Sequence, residues 1–201
     1  RNIRTNQGSL TPGTDNLNIE NIETLTPREF IDNVKYIVFG TPHGYRPKPA
    51  RRVEIPKSNG KTRPLSIPCI WDRLIQQAIK QVLEPICEAK FSPNSYAFRP
   101  DISIENALGS CYKLLQLQKC NYVIELDIKS YFDNIDHSKL IRQLWNIGIR
   151  DKKLLYIIKR IIKSPVKLQD KEIIIPQKGI PQGGILSPLL SNVYLNEFDQ
   201  W

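Results

Sequence analysis

Tyr122-Val-Ile-Glu-Leu-Asp-Ile-Lys-Ser-Tyr-Phe-Asp-Asn-Ile135 is the stretch of sequence that best predicts the fold. Val123, Glu125 and Asp127 alternate with apolar neighbours, a pattern that predicts a β-strand with one apolar face. Asp127 would then end the strand, just before a turn-prone Lys-Ser pair. A carboxylate held there and open to solvent suits metal binding, whereas the simpler alternative is an Asp that caps the turn.

A second motif follows some fifty residues later, where residues 179–188 read Gly-Ile-Pro-Gln-Gly-Gly-Ile-Leu-Ser-Pro. This glycine-rich loop leads into a predicted helix. A metal-binding carboxylate combined with a loop that lets phosphates approach the backbone suggests phosphoryl transfer with nucleotides.

The chain has 201 residues, 40% of them hydrophobic, which is enough for one domain or two interleaved subdomains. Its 29 basic and 20 acidic residues give a net charge of +9. The excess is concentrated in two segments, 35–63 and 150–167. This distribution favours a polyanionic partner, with nucleic acid ahead of an acidic membrane surface, while solvated basic faces are the alternative.

Four cysteines and two histidines are scattered without the spacing of a zinc site. We therefore predict reduced thiols, partly in the core of an intracellular protein. No apolar run approaches membrane-spanning length, and no signal peptide is present. The chain starts with Arg and stops at Trp201 within a pattern, so we expect it to be a fragment.

The predicted elements are helices and short hairpins. Residues 1–20 are polar, and we expect them to be mobile with little to bury. Thr26-Pro27-Arg-Glu29 is a helix start, with Phe30, Ile31 and Val34 predicted to face inward. The other predicted elements are a hairpin of 52–55 with 62–67, helical stripes over 74–86 and 104–115, helices at 138–147 and 151–163, a hairpin of 166–168 with 172–175, and a helix from 187. Asp136 is predicted to cap the helix that follows it, and the fold class is α+β with antiparallel hairpins packed with helices.

Four segments together resemble the reverse transcriptase domain of group II intron-encoded maturases. The matching blocks are 55–68, 91–100, 125–136 and 179–192, with Ala97 where the family usually has Gly. The match covers about 25–201, and four blocks in order are far more specific than any one alone. The family's next block, a Tyr-x-Asp-Asp hairpin with two further catalytic carboxylates, is not in the sequence.

The resemblance implies a two-metal nucleotidyl transfer in which deoxynucleotides extend a DNA primer on an RNA template. Asp127 would be the catalytic carboxylate, and it would hold Mg²⁺ together with the backbone carbonyl of Ile128. The complete enzyme would use two Mg²⁺ ions about 4 Å apart. Because one carboxylate cannot hold both, we expect the chain alone to make no DNA.

The resemblance also places a nucleotide site on Lys57, Arg63, Phe132, Gln182 and Gly183. Lys57 and Arg63 flank the Ser58–Lys61 turn and would lie over the triphosphate. Phe132 would be the steric gate under the sugar, and Gln182 would lie beside the nucleotide. Each assignment has a structural alternative. Phe132 could be an ordinary core aromatic, and Lys57 and Arg63 could be exposed hairpin residues without a ligand. The Pro-Gln-Gly-Gly segment could be a plain loop at the start of a helix.

Contacts to RNA are predicted for a larger set of residues. The segment 45–52 mixes an aromatic ring with cations, which suits stacking and phosphate contacts on single-stranded RNA. The predicted RNA-binding residues are Tyr45, Arg46, Lys48, Arg51, Arg52, Lys61 and Arg99. The leading segment through about residue 40 resembles the family block that clamps template and binds intron RNA.

Four parts are predicted along the chain. They are 1–70, the N-terminal extension and fingers hairpin; 71–136, a palm segment with the catalytic strand; 137–180, fingers helices and hairpin; and 181–201, a palm loop and helix, cut short before the Tyr-x-Asp-Asp block and the thumb. The partners implied are intron RNA, an RNA template with DNA primer, deoxynucleotides and, in a homodimer, a second copy of this chain, with no membrane. The location implied is the bacterial cytoplasm or an organelle. Two alternatives stay open: a non-enzymatic RNA-binding splicing cofactor, and the reverse transcriptase of a retron, diversity-generating or CRISPR-linked system.

Overall fold

A four-stranded sheet organises one side of the molecule in this computed structural model, which describes residues 2–6, 8–56 and 60–201. The strands are β1 (Ala50–Pro56), β2 (Thr62–Ile67), β3 (Val166–Lys167) and β4 (Ile173–Ile174). Their order is β2-β1-β3-β4; β1 and β3 are parallel and the other pairs antiparallel. Both predicted hairpins are therefore confirmed, and the β1–β3 pairing joins them into one sheet.

Helices make up most of the rest, so the predicted α+β class is confirmed. They are α1 (Ile19–Glu23), α2 (Pro27–Phe39), α3 (Ile70–Glu88), α4 (Ile104–Tyr112) continued by a π-helical segment (Lys113–Leu117), α5 (Tyr131–Asn134), α6 (His137–Ile147), α7 (Lys152–Ile162) and α8 (Ser187–Asp199).

Local capping explains where two of these helices begin. Thr26 and Glu29 form the predicted capping box of α2, with Pro27 in its first turn. The carboxylate of Asp136 accepts from the backbone N–H of Lys139 at 2.6 Å, so its predicted role as the N-cap of α6 is confirmed.

The main core is formed by apolar stripes of α3, α6, α7 and α8. Fully buried members include Leu83, Leu140, Leu144, Ile158 and Leu190. This core lies beneath the loop 179–186, which it holds between the helices and the sheet. Burial of each such side chain stabilises the fold by roughly 1.5–3 kcal/mol.

The prediction that residues 1–20 have little to bury is wrong. Ile3, Ile19 and Ile22 are buried against Ile70 at the start of α3, in a second apolar cluster. The Arg73 guanidinium fixes this segment: its three nitrogens donate to the carbonyls of Pro68, Gly8 and Thr11 at 2.8, 2.9 and 2.6 Å. Isolated isoleucines in a polar context carry no periodic signal, so the sequence pattern could not reveal this docking.

The predicted strand over residues 122–128 is not formed. The segment has no regular secondary structure and pairs with no strand within the described residues. Its apolar side chains are exposed, from 50% for Ile128 to 91% for Tyr122. Strand patterning stabilises nothing without a ladder partner. The stripe over 104–115 does form a helix, but Ile104, Leu108 and Leu114 are exposed there, as is Ile31 of α2.

No helix in the described part of the chain is long and apolar enough to cross a membrane. All four cysteines are free thiols; Cys69 and Cys87 are buried and the other two exposed, as predicted.

Candidate functional site

A cleft of about 670 Å³ lies between β2, the loop before α8 and the N-terminal segment. Arg63 of β2, Phe132 of α5, and Gln182 and Gly183 of the loop all line it. Four of the five predicted nucleotide-binding residues are therefore together in one cleft. The fifth, Lys57, lies outside the described residues, as do Ser58 and Asn59 of the predicted turn.

Gln182 connects the two walls of the cleft. Its backbone carbonyl accepts from the Ser66 N–H of β2 at 2.7 Å. Its side-chain Nε2 donates to the Asp133 carboxylate of α5 at 3.2 Å. The residue thus links β2 to α5. Its side chain is partly exposed, so its amide could donate to a ligand in place of Asp133.

Gly183 has a backbone conformation and a position that only glycine fits. Its φ is +102°, and a Cβ there would lie 2.7 Å from both the Leu65 Cδ1 and the Ser66 carbonyl oxygen. Glycine therefore permits the loop backbone to pack closely against β2, and the predicted close approach of this backbone to a nucleotide stays a prediction.

Phe132 is fixed by aromatic contacts on two sides. Its ring meets Phe98 edge-to-face at 6.4 Å and Tyr131 at 5.6 Å between centroids. Its carbonyl accepts from the Ile180 N–H at 2.9 Å, which ties α5 to the glycine-rich loop. The ring is therefore a rigid part of the cleft wall, half-buried and accessible from the cavity.

Asp127 is exposed in the irregular segment 122–128, five residues before Phe132, and is not among the residues that line the cleft. Its carboxylate makes no hydrogen bond or ion pair with the described residues, so its oxygens are available to a ligand. No group of three or more Asp, Glu, His or Cys that could hold a metal was found within the described ranges. The neighbouring Ile128 is half-exposed.

His137 supports the loop from below, although no motif in the sequence indicates such a role. Its Nε2 lies 2.6 Å from the Gly179 carbonyl, and burial lowers the pKa of the imidazole, which favours the neutral ring. Gly179 has φ +84°, and a Cβ there would lie 2.9 Å from the Asp133 carbonyl oxygen. The loop is thus packed directly on the backbone of α5.

The N-terminal segment forms a further wall of the cleft, although none of its residues was predicted to bind the nucleotide. Asn2, Ile3, Asn6 and Ser9 line the same cleft as Phe132 and Gln182. They reach it because Arg73 holds the segment in place, as described above. A substrate in this cleft would therefore contact both the predicted residues and this segment.

The prediction that Tyr45 stacks on RNA is wrong. The ring is 1% exposed, and its hydroxyl donates to Asp72 at 2.5 Å. Burial raises the pKa of the Asp72 carboxyl to about 6, and burial together with Asp72 raises the pKa of Tyr45. Tyr45 anchors the 44–50 segment to α3, because Asp72 also accepts from the Lys48 N–H at 3.1 Å.

The other predicted RNA-binding residues differ in how free they are. Arg46 is exposed, and Arg51 and Arg52 line a second groove. The Lys48 ammonium pairs with Asp15 at 3.1 Å, and Lys61 is exposed. Contact of these residues with RNA stays a prediction.

Arg99 is committed to its own loop. Its Nε pairs with Glu88 at 2.9 Å, and Nη1 donates to the carbonyls of Ser92 and Ser95 at 2.7 and 2.8 Å. The guanidinium also lies 5.6 Å from the centre of the Phe91 ring. These contacts order the loop that carries Phe98 to the cleft, and RNA binding by Arg99 would require some of them to break.

Residues 55–201 match the family model described as reverse transcriptase (RNA-dependent DNA polymerase). The chain is 39% identical to protein YkfC of Escherichia coli (strain K12) over 200 residues, covering 97% of this chain and 51% of that protein. It is 38% identical to the group II intron-encoded protein LtrA of Lactococcus lactis over 202 residues, covering 100% of this chain and 32% of that protein. A solved partial Cas6-RT-Cas1–Cas2 complex contains a similar chain, with TM-score 0.54 and 27% identity over 90% of this chain and 32% of that one. The chain thus spans about half or a third of the length of these curated relatives.

Proposed function

Because this chain belongs to the reverse transcriptase (RNA-dependent DNA polymerase) family, we propose that it forms the nucleotide-binding part of an RNA-directed DNA polymerase of the group II intron type. The observation that supports this most directly is the shared cleft of Arg63, Phe132, Gln182 and Gly183. The whole protein would extend a DNA primer on an RNA template, and would bind intron RNA to assist splicing and retrotransposition. Its substrates would be deoxynucleoside triphosphates.

Each residue of the cleft has a separate task in this proposal. Arg63 is exposed at the rim, and its planar guanidinium can grip two phosphate oxygens of the triphosphate at once. Phe132, held by its two aromatic neighbours, would fill the space that a 2′-hydroxyl needs. Gln182 would orient the nucleotide while it keeps β2 and α5 at a fixed distance.

Asp127 and the carbonyl of Ile128 fit a Mg²⁺ ligand role, because the carboxylate is exposed and without a protein partner in the described residues. Mg²⁺ typically takes one or two carboxylates and completes its shell with water and substrate phosphates. The ion would lower the pKa of the attacking hydroxyl and offset charge on the phosphate. We propose that the second ion requires carboxylates that this chain does not supply, so that the chain alone makes no DNA.

Nucleotide binding by Arg63 is the first test. Arg63→Ala in the 201-residue chain should weaken dNTP binding, measured by titration in Mg²⁺, by about 10-fold or more, since a charge-assisted hydrogen bond contributes about 1.5–3 kcal/mol. Arg142→Ala, an exposed arginine outside the cleft, is the matched control. Equal affinities for the two variants would contradict the assignment of the cleft.

Polymerisation is tested in a polymerase that contains this chain together with the carboxylates proposed for the second ion. Phe132→Ala should raise ribonucleotide incorporation relative to deoxynucleotide incorporation without changing template binding. Asp127→Asn should abolish primer extension. Unchanged sugar discrimination in the first variant would remove the steric-gate role, and measurable extension by the 201-residue chain would remove the proposed need for further carboxylates.

The likeness to the Cas-associated chain favours a second candidate, a reverse transcriptase linked to a CRISPR system. The identity to that chain is lower, 27% against 38% for the intron-encoded relative. Preference for intron RNA over random RNA of equal length would support the intron assignment, and equal affinity would favour the second candidate.

A further inference from the structure

Phe98 is an aromatic residue of the cleft wall to which the sequence assigned no role. Its side chain is 61% exposed and lines the cleft. Its ring meets that of Phe132 edge-to-face, with an angle of 89° between the two ring planes. Edge-to-face contact is a favoured aromatic geometry, so Phe98 limits the directions in which the Phe132 ring can point.

The backbone at Phe98 is in the left-handed region, which residues other than glycine rarely adopt. Its φ is +57°, and Asp101, three residues later, has the same value. Such a conformation persists only where the surrounding structure imposes it, and it is concentrated at functional sites. The loop 91–101 is therefore held in this form by contacts with other parts of the molecule.

Those contacts fix the residues on both sides of Phe98. Before it, the Ala97 carbonyl accepts from the side-chain Nδ2 of Asn192, in α8, at 2.7 Å. Asn192 is only 8% exposed, so this bond is shielded from water and strengthened by its surroundings. After it, Arg99 makes the ion pair and the two carbonyl contacts described above. The Phe98 ring is thus carried to the cleft on a firmly anchored backbone.

One turn of α8 holds both of the rings that contact Phe132. The Tyr131 hydroxyl donates to the carbonyl of Ser191 at 2.7 Å. The next residue along the helix, Asn192, holds the loop of Phe98. Tyr131 and Phe98 are therefore positioned by adjacent residues of the same helix, which fixes these two rings relative to each other and to Phe132.

We propose that Phe98 is a positioning residue for sugar selection, whose ring keeps Phe132 in the orientation that excludes a 2′-hydroxyl. This role rests on the proposed function, in which Phe132 is the steric gate. Phe132 is only half-buried, so its ring would gain other orientations if Phe98 were removed. A gate that spends part of its time in other orientations excludes the hydroxyl less well, because the bound ribonucleotide selects the open ones.

The test measures the sugar selectivity of binding. The 201-residue chain is titrated with dATP and with ATP in Mg²⁺, and the selectivity is the ratio of the Kd for ATP to the Kd for dATP. Phe98→Ala should lower this ratio by about 2- to 13-fold, the factor that corresponds to one aromatic pair. The change should come from tighter ATP binding, with dATP affinity nearly unchanged. Phe98→Tyr keeps the ring and should keep the wild-type ratio.

A double-mutant cycle shows whether Phe98 acts through Phe132. Phe132→Ala should lower the ratio at least as much as Phe98→Ala does, and adding Phe98→Ala to it should change the ratio no further. If the two factors multiply instead, Phe98 contacts the nucleotide itself and the positioning role is overturned. Phe198→Ala is the matched control, since Phe198 is an exposed phenylalanine of α8 that does not line the cleft, and its ratio should equal that of the wild type.

A glycine variant separates lost selectivity from unfolding. Glycine adopts φ +57° without strain, so Phe98→Gly should have a Tm at least as high as that of Phe98→Ala and the same lowered ratio. If Phe98→Ala and Phe98→Gly weaken the binding of both nucleotides by the same factor, Phe98 only supports the fold and the positioning role is overturned.

The remaining outcomes distinguish this role from the proposed function. If the wild-type chain binds neither nucleotide, or binds ATP as tightly as dATP, the steric gate and the role of Phe98 are overturned together. If Phe132→Ala lowers the ratio and Phe98→Ala does not, only the role of Phe98 is overturned.

Discussion

Replacing Gly183 with alanine should destabilise the loop that forms the floor of the cleft. Two costs add at this position. A non-glycine residue at φ +102° costs about 1–2 kcal/mol. The new methyl group would lie 2.7 Å from the Leu65 side chain and the Ser66 carbonyl, and overpacking of this kind costs about 1–3 kcal/mol.

The expected loss is therefore about 2–5 kcal/mol in the free energy of unfolding, a large part of the 5–15 kcal/mol typical of a domain. It should be measured by urea unfolding followed by tryptophan fluorescence. Relaxation would push the loop away from β2 and break the bond between the Gln182 carbonyl and the Ser66 N–H, so dNTP affinity should fall in parallel.

Two other glycines separate the two costs. Gly60 also has a positive φ, +76°, but a Cβ there would meet no atom of the described residues within 4 Å. Gly60→Ala should therefore cost only the backbone strain, about 1–2 kcal/mol. Gly109, inside α4, has neither problem, and Gly109→Ala should be neutral or stabilise by up to about 1 kcal/mol. If Gly183→Ala cost no more than Gly60→Ala, the packing of the loop against β2 would be refuted.

Two further predictions concern the groups that hold the cleft walls. Because burial lowers the pKa of His137 in the folded state, the unfolded chain binds more protons just below about pH 6.5; stability should fall as the pH drops through this range, and His137→Gln should remove that part of the dependence in urea unfolding at pH 7.5 and 5.5. A wild-type and a variant protein with parallel pH profiles would show that the ring does not titrate in this way. Arg73→Met leaves three carbonyls without their donor and should cost about 2–4 kcal/mol and expose residues 2–11 to protease, whereas Arg142→Met should do neither. Equal protease resistance of the two variants would mean that the N-terminal wall does not depend on Arg73.

Elements with local signals were predictable from the sequence. The capping box at Thr26 and the cap at Asp136 depend on side chains within three residues of the backbone groups that they satisfy. The hairpin of β1 and β2 likewise has its own turn and its own register. The parallel pairing of β1 with β3 joins residues more than a hundred positions apart, and no local pattern contains it.

The residues of the candidate site also differ in how well the sequence predicted their positions. Arg63, Phe132 and Gln182 were predicted together and do lie together, because short contacts fix each one: the ladder of β2, the aromatic neighbours of Phe132, and the bonds from Gln182 to Ser66 and Asp133. Tyr45 was misassigned because an aromatic ring among cations has the same sequence pattern whether its hydroxyl meets solvent or a buried Asp72.

Asp127 differs from these residues in kind. Its alternating neighbours specify which side chains would share a face of a strand, but the free energy that makes a strand comes from a ladder partner and a covered apolar face. The described residues provide neither, and Val123, Ile124 and Leu126 are 78%, 84% and 77% exposed. The side of the cleft that we propose binds phosphate and sugar is therefore fixed by contacts within this chain. The position of the Asp127 carboxylate is not fixed in this way. The alternating sequence predicts that residues 122–128 pair with another strand, and the described residues provide no such strand. Any surface that pairs with 122–128 would then both bury the apolar face and bring Asp127 into a defined position relative to Phe132. Binding of that surface and organisation of the proposed metal site should therefore be coupled.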